Sequence, residues 1–103
     1  MKKFIFLYVG FDPLWTQDES KTKEIKQAWG KWFASVGDKF IDSGNPFMPG
    51  KEVTATGIKD LPHDKDAIVG YSILKADTAE EAIKIAQSCP MITSVRVYEA
   101  GSM

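Results

Sequence analysis

Cysteine and histidine are almost missing: Cys89 and His63 each stand alone in 103 residues. A single thiol excludes an intramolecular disulfide, and one thiol with one imidazole cannot assemble a structural zinc site within one chain. A lone thiol fits a reducing compartment, so a cytoplasmic protein is expected. Charge of one sign is also lacking: 13 Lys and Arg stand against 14 Asp and Glu, a formal net of -1. That balance provides neither a basic footprint for nucleic acid nor a basic amphipathic helix for a membrane surface. No apolar run approaches the roughly 20 residues that cross a bilayer. The opening MKKFIFLYVG imitates a signal peptide, but Asp12-Pro13 follows it where a small-residue cleavage site would stand. No metal and no cofactor are expected.

What is present suffices for one domain, 1–103, with one core. FIFLYV (Phe4–Val9) is aromatic and branched and ends at Gly10, as a buried strand does. FDPLWTQDES reads as a loop entering a helix, with Thr16-Gln17-Asp18-Glu19 in capping-box form and Asp18 and Ser20 as rival caps. Ile25, Ala28, Trp29, Trp32, Phe33 and Val36 then keep the rhythm of one helical face, and Gly37 is placed to end it. Asp38–Gly50 is turn-rich. KEVTATGI (Lys51–Ile58) alternates polar and apolar like an edge strand. KDLPHDKDAIVGY (Lys59–Tyr71) is a connector, leading into AIVGYSILKA (Ala67–Ala76), a second strongly apolar strand. Thr78-Ala79-Glu80-Glu81 is another capping box. Its helix carries an apolar stripe of Ala79, Ala82, Ile83 and Ala86, a Glu80–Lys84 pair and a stop at Pro90. TSVRVYE (Thr93–Glu99) is the last strand.

The order strand, helix, strand, strand, helix, strand is the split βαβ of ferredoxin-like domains, an α+β fold with a four-stranded antiparallel sheet. Right-handed crossovers place the first and third strands, the two most apolar, in its middle. Two helices cover only one face of such a sheet. Yet Phe4, Phe6 and Tyr8 alternate with Ile5, Leu7 and Val9, so both faces are apolar. A homodimer packed sheet to sheet is therefore expected. The alternative is the Asp38–Gly50 loop folded over the open face.

Three segments resemble one family. AWGKWFASVGDKFIDSGNPF has tryptophans three apart, a helix-ending glycine and a G-x-P-F turn. GYSILKADTAEEAIKIAQSCP has a G-Y strand, then A-D-T-x-x-E-A and a helix ending in C-P; VRVYEA resembles a closing V-E-V strand. Together these resemble the YCII-related (DGPF-like) proteins. The resemblance implies a dimeric α+β barrel, the partner being a second copy of the chain. Where the D-G-P-F tetrapeptide of that family would fall, Ile58–Leu61 reads IKDL. The first-helix histidine of other members is replaced by Gln27, Trp29 or Gly30. Neither set of site residues carries across.

The candidate residues each have two readings. His63, with Asp64 or Asp66 to orient it, suits a general base, but sequence neighbours point apart and Pro62 fixes a turn; we read it as a solvated turn. Trp29 and Trp32 line either a core or a small-molecule cavity between helix and sheet. Tyr71 needs a partner for its hydroxyl in either setting. Asp42 and Asn45 are turn formers or polar groups at a pocket mouth. Cys89, away from any helix N-terminus, reads as a small buried hydrophobe. The expectation is a small-molecule-binding domain with a pocket near Trp29, Trp32, Asp42 and Tyr71. The alternative is a cofactor-free isomerase or lyase resembling muconolactone isomerase, with His63 as its base.

Overall fold

A computed structural model of the chain describes residues 1–10 and 19–101. The loop and the Thr16-Gln17-Asp18 part of the first capping box lie outside the described residues. The alternating FIFLYV run forms β1 (Lys2–Val9), which turns Phe4, Phe6 and Tyr8 into the core and leaves Ile5 and Leu7 half-buried on the other face. Helix α1 (Glu19–Val36) follows, then a single 3₁₀ turn, Gly37–Lys39, entered through the positive φ of Gly37. Next come β2 (Phe40–Asp42), β3 (Gly50–Thr54), β4 (Gly57–Leu61) and β5 (Ile68–Ala76), then helix α2 (Ala79–Gln87) and β6 (Ser94–Glu99).

One sheet runs β2-β5-β1-β6, with every neighbour antiparallel. Its centre is β1 and β5, as predicted, because those strands have the most apolar surface to hide. The helices cover one face. There Phe4, Phe6, Ser72 and Leu74 are fully buried, and Ala76, Ala82 and Ala86 nearly so. Alanine at two successive turns of α2 lets its backbone approach the sheet. Burying phenylalanine or leucine side chains of this kind contributes about 2–3 kcal/mol each. The second capping box forms: Thr78 Oγ1 accepts from the Glu81 amide at 3.1 Å, and Glu81 reaches back to the Asp77 amide at 3.1 Å. Glu81 also takes Lys39 Nζ at 2.7 Å, tying the 3₁₀ turn to α2. That hydrogen bond lowers the Glu81 carboxyl below the usual range and raises the Lys39 ammonium.

Two segments depart from the sequence reading. The second strand of the main sheet is Phe40–Asp42, inside the stretch read as a turn-rich loop. Lys51–Ile58 does not join that sheet; it belongs to a separate hairpin, β3 with β4. The cause is local: Thr54 Oγ1 accepts from the Gly57 amide at 3.1 Å and closes a tight turn inside the alternating run. Every residue of this hairpin is exposed, including Val53 and Ile58 on one face of it. It makes the fold spread: the Cα radius of gyration is 15.0 Å, against roughly 13 Å for about 100 compact residues.

The link from β2 to the hairpin stays on the sheet. Pro46 bridges to Gly70, and the Phe47 amide donates to the Val69 carbonyl at 2.8 Å. Gly44 sits against β5 with φ +90°, and a Cβ there would lie 1.6 Å from the Tyr71 carbonyl oxygen. Only glycine fits that approach.

Candidate functional site

Beyond Phe47 the chain leaves the sheet, forms the hairpin, and returns over the helix-free face through Leu61–Ala67. Contacts among the described residues hold the return. His63 Nε2 lies 3.0 Å from the Phe47 carbonyl oxygen. Asp64 closes its own turn, its Oδ1 accepting from the Asp66 amide at 2.9 Å. Thr93 Oγ1 donates to the Lys65 carbonyl at 3.3 Å, and the Gly10 amide to the Ala67 carbonyl at 2.8 Å. A carbonyl only accepts, so His63 carries its proton on Nε2 in this arrangement. His63 is half-buried and bonded across 16 residues, within a turn whose other residues, Pro62, Asp64, Lys65 and Asp66, are exposed. The physical reason is the hairpin, which brings Phe47 back to a residue it could not otherwise meet.

Between this return and the sheet lies a cleft of about 660 Å³, within the size range of small-molecule sites. Leu7 on β1 and Ile68 on β5 line it from the sheet; Phe47, Met48 and Leu61 supply further apolar wall. The polar groups are His63, Asp64, Asp66 and Arg96. Arg96 is the single arginine of the chain. It stands on β6 directly opposite Leu7. Among the described residues no ion pair holds it.

Asp42 and Tyr71 are brought together at the edge of this region. The Tyr71 hydroxyl donates to Asp42 Oδ2 at 3.0 Å, and Asp42 Oδ1 accepts from the Gly44 amide at 2.9 Å. Phe47 stacks on the Tyr71 ring at 5.6 Å, and Tyr71 pairs with Leu7 across β5 and β1. Asn45 serves the close β2–β5 approach through its backbone, near Gly70.

Trp29 and Trp32 lie on the other side of the sheet, packed among themselves and Tyr8. The Trp29–Tyr8 rings meet edge to face at 5.1 Å and the two indoles at 5.7 Å. Trp32 is buried, its Nε1 donating to Ser88 Oγ at 3.0 Å. Beneath it runs a buried polar chain: Tyr8 Oη to Ser72 Oγ at 2.7 Å, and Ser72 Oγ to the Ser43 carbonyl at 2.6 Å. The Ser72 proton goes to the carbonyl, so Tyr8 is the donor to Ser72. Burial pushes the Tyr8 phenol up to about 12 and the Cys89 thiol up to about 11. Both stay protonated at neutral pH, and Cys89 is the buried hydrophobe expected.

Sequence reasoning did not single out Arg96, Leu7, Phe47 or Ile68. One signal was available: a sole arginine at a central position of the apolar alternation in TSVRVYE. Among the described residues, no group of three or more metal-ligating side chains gathers, and no helix is long and apolar enough to cross a membrane.

No protein-family model matches the chain, and no curated protein matches it either. Among solved structures, it is similar to the 5-chloro-2-hydroxyhydroquinone dehydrochlorinase of Burkholderia phenoliruptrix in complex with 2,5-dihydroxybenzoquinone. The TM-score is 0.61 at 13% identity, over 96% of this chain and 93% of that one. At that identity the likeness is one of fold: an α+β chain with two helices against a four-stranded antiparallel sheet.

Proposed function

We propose that this chain is a cytoplasmic small-molecule-binding protein of the YCII-related kind, acting as a homodimer, with its ligand held in the cleft between the hairpin return and the helix-free sheet face. The cleft is the observation that carries this reading: it combines an apolar floor and wall with a few polar groups. The pocket expected from the sequence, near Trp29 and Trp32, faces the helices. The proposed one adjoins Tyr71 and Asp42 through Phe47.

The dimer is supported by what the open face leaves uncovered. Ile5, Ile73 and Tyr98 sit together beyond the cleft, and Val53 and Ile58 project on the hairpin. A two-stranded hairpin with no third strand is marginal in water, and a second copy would support it. The three YCII-like segments favour the same assembly. Sedimentation should give about 23 kDa, twice the 11.5 kDa chain; a stable monomer at micromolar concentration would refute the dimer.

A second reading, a cofactor-free lyase or isomerase acting on a small ring, is favoured by His63 at the cleft and by a fold neighbour that is a dehydrochlorinase. In that case the imidazole must leave Phe47 before it serves as a base at Nε2. Both readings are tested by titrating 2,5-dihydroxybenzoquinone into the protein and following amide shifts. Shifts confined to Leu7, Phe47, His63 and Arg96 support the cleft; shifts elsewhere only, or none, count against it. Turnover of a hydroxylated chloroaromatic that is lost in His63→Gln would put the enzyme first.

A further inference from the structure

Resting on the cleft reading above, we propose that the cleft selects a flat apolar molecule bearing one carboxylate, and that Arg96 is the group that receives the carboxylate. Arg96 shares the helix-free face with Leu7, its direct partner on β1; Ile5, Tyr71, Ile73 and Tyr98 stand on that face too, with Lys3 and Lys75 at its far end. Arg96 is exposed at the cleft, and its five donors form a fork that matches a carboxylate. The chain holds 14 Asp and Glu and could supply a partner. Ion pairs do form at Lys2–Glu99, Lys39–Glu81 and Lys51–Asp60, all on lysine. The one arginine has none among the described residues, and it lines the cleft. The residue best shaped for planar bidentate recognition is therefore the one left open toward the cavity.

The rest of the cleft narrows the ligand class. Phe47 and Leu7 offer flat and branched apolar surface for a ring. Asp64 and Asp66 sit on the returning loop, and Asp64 is partly occupied in its own turn. Two carboxylates on that side oppose a second negative charge on the ligand, so a monoanion fits better than a dianion.

The experiment compares three probes of nearly equal shape, benzoate, benzamide and benzylammonium, at millimolar concentrations in a carboxylate-free and phosphate-free buffer. Amide shifts of Leu7, Ile68 and Arg96 report binding. Benzoate should bind roughly tenfold more tightly than benzamide, a difference expected of a charge-assisted bidentate contact. Arg96→Gln should bring the two within about twofold, whereas Arg96→Lys should keep part of the preference. Equal binding of benzoate and benzamide overturns this proposal and leaves the cleft reading standing. Tighter binding of benzylammonium overturns it in favour of Asp64 and Asp66. No shift at the cleft with any probe overturns both. The comparison in the unaltered protein does not depend on any variant folding.

Discussion

Removing the Ser72 hydroxyl should cost more than removing the Tyr8 hydroxyl, although the tyrosine is the larger and more conspicuous side chain. Ser72 has no exposed surface, stands between Tyr8 and Ser43, and serves both. Ser72→Ala leaves the Tyr8 phenol without an acceptor and the Ser43 carbonyl without that donor. An unsatisfied buried group costs about 1–3 kcal/mol. Tyr8→Phe leaves Ser72 still donating to Ser43, and loses one hydrogen bond of about 0.5–1.5 kcal/mol net. In the Tyr8→Phe background Ser72→Ala should become cheaper, with a coupling of about 1 kcal/mol. Urea unfolding of the four proteins at pH 7 measures all three quantities, the midpoints being comparable if the slopes agree. Additivity within a few tenths of a kcal/mol, or a larger loss for Tyr8→Phe than for Ser72→Ala, would refute the chain of donors described here.

Gly44→Ala places a Cβ 1.6 Å from the Tyr71 carbonyl at a positive φ and should abolish folding or cost several kcal/mol. Gly30→Ala, in the interior of α1 with open space around it, should instead stabilise by about 0.5–1 kcal/mol. Both are read by thermal melting. Alkaline titration should weaken the fold. Cys89 and Tyr8 hold their protons to about 11 and about 12 when folded. The unfolded chain releases them from about 9 and 10, so the folded state binds more protons in that window and stability falls as pH rises. We expect a loss of at most about 2–3 kcal/mol per group across that range, and Cys89→Ala should remove the part that begins near pH 9. His63→Ala deletes a long-range bond at a partly exposed site and should cost at most about 1 kcal/mol, while speeding amide exchange in residues 61–67.

How much of this was legible in the sequence varies with how local the cause is. Strand β1 declared itself by a short aromatic and branched run ending at Gly10, and α2 by Thr78 and Glu81, because such runs and helix caps are decided within a few residues. Strand β2 was hidden: Phe40–Asp42 is three residues long and flanked by turn formers, and only its pairing with β5 makes it a strand. In Lys51–Ile58 the alternation was visible, but the turn at Thr54–Gly57 was not read. One extra turn there converts a sheet strand into a free hairpin. The cleft was the least legible element. Leu7, Phe47, His63 and Arg96 come from four separate segments, and no periodicity within one segment reports a contact made by folding the hairpin back.

Polar satisfaction separates the two faces of the sheet more sharply than hydrophobicity does. On the helix side each buried polar group has its partner: the Trp32 indole with Ser88, the Tyr8 phenol with Ser72, and the Ser72 hydroxyl with Ser43. Among the described residues no buried side-chain nitrogen or oxygen lacks one. A closed network of this kind fixes a core and holds little in reserve for a ligand. The other face differs in kind. Its apolar residues are only half covered, its histidine bonds the Phe47 carbonyl, and among the described residues no ion pair holds its arginine. A guanidinium beside apolar surface suits a recognition site, whereas a buried tryptophan such as Trp32, its donor answered by Ser88, suits a core. On that ground Trp32 belongs to the core, with the half-buried Trp29 packed on it and on Tyr8, and the search for a ligand belongs on the face where Arg96 stands.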